Sequence, residues 1–154
     1  MKNILIALDH DATAQKVAEI GCSFGDNTNT VITLLHVVAD SSYDKTTVYD
    51  PTLIFGSYTS LNLREPGSLR KLKKTSMKFL EKAKYQLGNT QIKTLVKEGS
   101  IAETILSVAK ELNADAIVMG SHSKRWLENI LMGSITEYVL HRTSIPLLIV
   151  PTKK

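Results

Sequence analysis

Two Gly-Ser pairs, Gly120-Ser121 and Gly133-Ser134, frame the segment MGSHSKRWLENILMGSI from Met119 to Ile135. Glycine lets backbone approach a ligand closely and tolerates positive φ. A helix that opens beside such a turn adds free N–H groups and a positive partial charge, the combination that suits phosphate oxygens. Asp9 follows the first apolar run and is placed to meet a sugar or base edge. The chemistry indicated is binding of a nucleotide or another phosphorylated ligand. The chain has neither the P-loop pattern of glycine, four residues, Gly-Lys and Ser or Thr, nor the Gly-x-Gly-x-x-Gly dinucleotide fingerprint. With no P-loop lysine and no evident base for water, fast phosphoryl transfer is not expected. Slow hydrolysis, or self-phosphorylation on Ser121, Ser123 or Ser134, is the minor alternative.

The elements that must hold these residues alternate between β-rich runs and helical periods. NILIAL (Asn3–Leu8) is almost wholly apolar, as expected of a parallel strand covered on both faces. Asp11 or Thr13 is placed to cap the helix that follows. TVITLLHVV (Thr30–Val38) reads as the second strand, IKTLVKE (Ile92–Glu98) as a third nearer an edge, DAIVMG (Asp115–Gly120) as a fourth and IPLLIVP (Ile145–Pro151) as the last. Helices are expected over Ser68–Leu87, over Ile101–Leu112 with Ser100 and Glu103 as a capping box, and over Asn129–Arg142. Five strands alternating with helices imply one α/β domain over residues 1–154, a parallel sheet with right-handed crossovers. The segment 39–67, with Pro51, Gly56, Pro66 and Gly67, reads as a long loop excursion. In such sheets ligands settle at the carboxyl ends of the strands. Asp9, Val37 and Val38, and Gly120-Ser121-His122-Ser123 all fall at such ends.

Composition narrows the class further. The chain has 154 residues, 43% hydrophobic and 22% charged, as in ordinary globular proteins. No apolar run approaches the roughly 20 residues needed to cross a bilayer, and the start lacks a signal-peptide core, so a cytoplasmic protein without a membrane partner is expected. Cys22 is the single cysteine, which excludes an internal disulfide and a cysteine-rich zinc site. The formal charge is +4, concentrated in LRKLKKTSMKFLEKAK. That run reads as the solvated face of one amphipathic helix. Nucleic acid is not expected as a partner, because zinc-finger and RNP-type patterns are missing. Of the four histidines, His36 reads as a satisfied core residue and His141 as a cation suited to a helix end. His10, His122 and Asp9 would make too sparse a set for a metal site. Cys22 reads as a buried small hydrophobe, and Trp126 as either core or partner surface.

The segments NILIALDHD, LLHVV, VKEGSIAETIL, ADAIVMGSHSKRWLENILMGSITEYVL and IPLLIV resemble the universal stress protein family over nearly the whole chain. The family's nucleotide-binding members carry Gly, two residues, Gly, nine residues, then Gly and Ser or Thr. Gly120 fills the first place, residues 124–132 the gap, and Gly133 and Ser134 the end. The resemblance implies a single doubly wound (Rossmann-like) α/β domain, five parallel strands in order 3-2-1-4-5 with helices on both faces, homodimers formed through the last strand (Ile145–Pro151), and ATP with its magnesium held in the cleft. It implies that Asp9 faces the adenosine, that Val37 or Val38 offers backbone to adenine, and that Gly120, His122, Ser123, Lys124, Gly133, Ser134 and Ile135 line the phosphates. The function implied is a stress-response switch that binds adenine nucleotide and acts on an unknown protein partner.

Ser123 departs from the pattern, which has glycine there, and Lys124 stands where the family tends to arginine. If position 123 needs positive φ, serine costs on the order of 1 kcal/mol. The alternatives are a dimeric interaction protein of the same fold that has lost its nucleotide, and a related adenylating ligase or flavin-binding subunit.

Overall fold

A computed structural model describes residues 2–25, 29–39, 67–121 and 133–152. The elements are β1 (Asn3–Ala7), α1 (Ala14–Ser23), β2 (Val31–Ala39), α2 (Ser68–Leu87), β3 (Lys93–Gly99), α3 (Ile101–Glu111), β4 (Ala116–Gly120), α4 (Ser134–Arg142) and β5 (Leu147–Val150). All strand pairs are parallel, in the order β3-β2-β1-β4-β5. This is the doubly wound sheet that the sequence leads one to expect. The expected excursion 39–67 lies outside the described residues apart from its two ends.

Alternation along the central strands builds two cores. Ile4, Ile6, Ile32, Leu34 and Val118 face α1 and α2, where they meet Val17, Ala18, Leu80 and Ala83. Leu5, Leu35, Val37, Ile117 and Met119 face α3 and α4, where they meet Ile105, Val108, Ala109 and Val139. β1 and β4 are apolar on both faces because both faces are covered. The start of β1 is pinned by Asp115, whose Oδ2 accepts from the backbone N–H of Lys2 (2.6 Å) and of Asn3 (2.8 Å). Those two donors hold its carboxyl below the usual aspartate range.

Helix ends differ in detail from the sequence-based expectation. Thr13 is the N-cap residue of α1, yet its side chain makes no cap bond. Asp11 Oδ1 instead accepts from Thr13 N (2.7 Å) and Thr13 Oγ1 (2.9 Å), an Asx turn that leads into the helix. The Ser100/Glu103 capping box does not form. Ser100 sits at the N-cap without a side-chain cap bond, and the Glu103 carboxylate accepts from Tyr138 Oη on α4 instead. The last helix starts at Ser134, not Asn129, because Gly133 is extended (φ −72°, ψ 154°). α2 runs over the expected Ser68–Leu87 and stops at Gly88, whose φ of 65° is the left-handed region that favours glycine.

His36 is a buried polar residue of β2. It is 3% exposed, and its Nδ1 lies 2.7 Å from Leu8 O, so Nδ1 carries the proton that the carbonyl accepts. Burial holds the imidazole pKa below its ordinary value, outweighing the Leu8 carbonyl and Asp9, which raise it. The unfolded chain therefore takes up a proton below about pH 6.5 that the folded chain resists. This stability is fully present above that pH and is lost progressively as pH falls beneath it. Urea midpoints measured between about pH 7.5 and pH 5 should fall for the native chain, and the fall should be shallower for His36→Gln. Equal slopes for both chains would remove His36 as the source.

Candidate functional site

The winding reverses between β1 and β4, which places the switch-point crevice at their carboxyl ends. Asp9 lies two residues beyond the end of β1 and is exposed. Gly120 ends β4, and Thr136 Oγ1 of α4 donates to its carbonyl at 3.0 Å. Thr136 is 3% exposed, so this bond locks the first turn of α4 onto the end of β4. Sequence reasoning passed over Thr136, since only its burial distinguishes it from any threonine in a first helical turn.

The opening of α4 is the strongest binding feature among the described residues. Gly133 caps it with no side chain, so the first N–H groups of the helix receive no cap bond from the N-cap residue. Ser134 is exposed, and Ile135 is half-buried and packs on the α3–α4 core. Glu137 N returns to Gly133 O at 2.9 Å, which starts the regular helical pattern. This end offers backbone donors and a positive partial charge at the rim of the sheet.

β2 contributes differently at its two valines. Leu8 N donates to Leu35 O at 2.8 Å, so the backbone polar groups of Leu35 face β1. Neighbouring residues along a strand point these groups to opposite sides. Those of Val37 therefore also face the β1 side, beyond the last residue of that strand, while those of Val38 face β3 in its register with Glu98. Both side chains are buried, at 5% and 6%. Val37 is thus the residue whose backbone can address a ligand in the crevice.

Gly120 has a packing reason for lacking a side chain. A Cβ there would sit 2.9 Å from Thr152 Cγ2 and 3.3 Å from Val17 Cγ2. The tail after β5 closes over this point. Thr152 N donates to Ser121 Oγ at 3.1 Å, Ser121 N donates to Val150 O at 2.8 Å, and Lys16 Nζ donates to Pro151 O at 2.9 Å. The Ser121 hydroxyl is engaged with the tail. The site thus brings together the ends of β1, β2 and β4 with the opening of α4. His122, Ser123, Lys124 and Trp126 lie outside the described residues.

Two small cavities lie elsewhere. One of about 110 Å³ sits at the amino ends of β1, β2 and β3, lined by Asn3, Val31, Lys93 and Ala114. One of about 140 Å³ lies between Phe24 and β5, lined by Pro146, Leu147 and Leu148. Both are lined mainly by apolar surface and lack a set of convergent donors. Among the described residues no group of three metal-ligating side chains occurs, and no helix is long and apolar enough to cross a membrane. Cys22 is half-buried, and burial pushes its thiol up to about 11, which leaves it protonated and unreactive at neutral pH.

Comparison with known proteins agrees with this architecture. A universal stress protein of Methanocaldococcus jannaschii is 29% identical over 155 residues, spanning 99% of this chain and 96% of that protein. The solved structure of that archaeal protein superposes with a TM-score of 0.75 at 26% identity, covering 99% of this chain and 97% of the other. Two more distant structures share the fold. One is a universal stress protein in complex with cAMP (TM-score 0.66, 15% identity, 99% of this chain and 98% of the other). The other, from Archaeoglobus fulgidus, is in complex with dAMP (TM-score 0.54, 14% identity, 97% of each chain). The sequence model of the universal stress protein family matches residues 1–151, and with the five-stranded 3-2-1-4-5 sheet this establishes that the chain belongs to that family.

Proposed function

We propose that this chain binds ATP, with its magnesium, at the carboxyl ends of β1, β2 and β4, and uses the occupied state as a regulatory signal with little or no turnover. The observation that carries this reading is the opening of α4. It is a glycine-capped helix start without a side-chain cap, fixed to the end of β4 by the Thr136–Gly120 bond. Ser134 and Ile135 backbone, with Gly133, hold the phosphates. Asp9 addresses the ribose and Val37 the adenine edge. Val38, turned toward β3, serves the wall of the crevice and offers no backbone bond. Gly120 sets the close packing beneath the phosphates, and His122, Ser123 and Lys124 complete their surroundings. The cAMP and dAMP complexes of two distant members support an adenine nucleotide as the ligand class.

In the same reading the protein is a cytoplasmic homodimer joined through β5. That edge strand, LLIV, carries no charged residue, whereas the opposite edge, β3, carries Lys93, Lys97 and Glu98. Uncharged edges invite pairing and charged ones discourage it.

The test is calorimetric titration of ATP into the native chain beside Ser123→Gly, preceded by an assay for nucleotide released when the purified protein is denatured. The native chain should bind, and the glycine form should bind at least as tightly. Weaker binding by Ser123→Gly would make the serine hydroxyl a ligand. No heat from either chain would defeat the proposal and leave a dimeric interaction protein of the same fold.

A further inference from the structure

The basic helix α2 concentrates the positive charge of the chain. Within its 20 residues are Arg70, Lys71, Lys73, Lys74, Lys78, Lys82 and Lys84 against the single acid Glu81. The formal charge of the whole chain is +4, so outside α2 the chain is net acidic. Arg70, Lys74, Lys78 and Lys82 follow one another at four-residue steps, which on an α-helix makes a single ridge. The ridge runs for about 18 Å with a cation roughly every 6 Å. All four are exposed, as is Lys71 on the same side, while Leu80 and Ala83 on the opposite side are buried against the sheet.

Among the described residues no acid pairs with these five cations. Lys73, to one side, pairs with Glu98 of β3, and Glu81 accepts from Thr94 Oγ1 at 2.6 Å. Glu81, exposed three residues beyond Lys78, is the one acid of α2 beside this ridge, although like charges four residues apart destabilise a helix. Here three successive steps are like-charged, an arrangement that favours a polyanion. Tyr85 stands on the same side at the end of the row, three residues beyond Lys82 and seven beyond Lys78, and is 87% exposed.

Against the sequence-based expectation of a merely solvated face with no nucleic-acid partner, we propose that this ridge docks a nucleic-acid single strand, with the five cations along its phosphates and Tyr85 stacked on an unpaired base. Four of the five are lysines, point charges on flexible stems. They suit a phosphate chain bound through counterion release better than a partner that needs fixed two-pronged pairing. A lone exposed aromatic at the end of a cationic track fits a splayed base. A bilayer would ask for an apolar row to insert. The apolar row of α2 (Leu72, Phe79, Leu80 and Ala83) is turned to the protein, and the exposed Leu69 and Met77, eight residues apart, do not make such a row.

Fluorescence anisotropy with a labelled oligothymidine of about 12 nucleotides tests this, with native chain, Lys74→Ala/Lys78→Ala and Tyr85→Ala, each checked for native folding by circular dichroism. With five phosphates neutralised, the logarithm of affinity should fall with the logarithm of salt at a slope of about −3.5. The lysine pair should reduce that slope by roughly 1.4. Tyr85→Ala should lose about tenfold in affinity with the slope unchanged. Saturating ATP should leave all of this unaltered, which separates this surface from the nucleotide crevice. Any of four outcomes would overturn the proposal. They are no binding at low salt, a slope indifferent to the lysine pair, displacement by ATP, or tighter binding to duplex DNA or phosphatidylserine vesicles with Tyr85 immaterial.

Discussion

Ser134→Asp is expected to weaken ATP binding by at least about 100-fold with little change in the stability of the fold. Ser134 is exposed at the first position of α4, beside the donors that would hold the phosphates. A carboxylate placed about 4 Å from a phosphate oxygen repels it by roughly 4 kcal/mol near a protein surface, while a hundredfold in affinity needs only about 2.7 kcal/mol. The same carboxylate favours the helix itself, by roughly 0.3–1 kcal/mol, because it lies against the positive end of the dipole. Glu137 already occupies the first turn and, three residues away, offsets about 0.2–0.5 kcal/mol of that gain. The net change in stability should thus lie between about −0.2 and +0.8 kcal/mol, small beside the loss of binding. Calorimetric titration and thermal unfolding of the same preparation read the two quantities. Loss of binding with stability kept is what separates a ligand site from a structural one. Undiminished affinity would mean that phosphate does not seat on α4.

The second large effect lies in the core. Gly21→Ala should cost about 2 kcal/mol of folding stability, although alanine is the better helix former by about 1 kcal/mol. Gly21 lies on the inner face of α1, and a Cβ there would sit 2.6 Å from Ile6 Cδ1 and 3.2 Å from Val118 Cγ1. Ile6 is fully buried, so its terminal methyl has nowhere to move. Either α1 lifts from the sheet or Ile6 leaves its preferred rotamer. Ile6→Val removes the offending methyl and alone should cost about 1 kcal/mol. In the double variant the two losses should cancel in part, leaving it at least about 1 kcal/mol more stable than the sum of the single changes predicts. Urea unfolding of the four chains completes this cycle. Strict additivity would show that α1 does not rest on Ile6 as closely as the packing indicates.

Much of this molecule can be read along the chain. Runs such as NILIA and AIVMG mark strands buried on both faces, because only a strand covered twice has no polar alternation. The helical period of Leu72, Phe79, Leu80 and Ala83 fixes α2 and shows which side meets the sheet. The alternation of strands and helices leads to a parallel sheet with crossovers, and the family resemblance supplies its order 3-2-1-4-5. These features are legible because each depends on residues within a few positions of one another, through backbone geometry and burial of a single face.

Features that depend on distant pairs were decided by folding. Ser100 and Glu103 have the spacing of a capping box, but the carboxylate is taken by Tyr138, 35 residues away. Gly120 looks like a phosphate glycine, yet the crowding that excludes its Cβ comes from Val17 and Thr152. Val37 and Val38 are equivalent in sequence. Only the register of β2 against β1 turns the backbone of the first toward the crevice and of the second toward β3. The cations of α2 are visible as a run, but that five of them on the side facing solvent meet no acid among the described residues, while Lys73 and Glu81 reach β3, follows from how the helix lies on the sheet. Local sequence determined the elements and the place of the crevice. Long-range packing decided which atoms reach it, because a hydrogen bond or a clash between remote residues exists only once the elements that carry them are fixed in register.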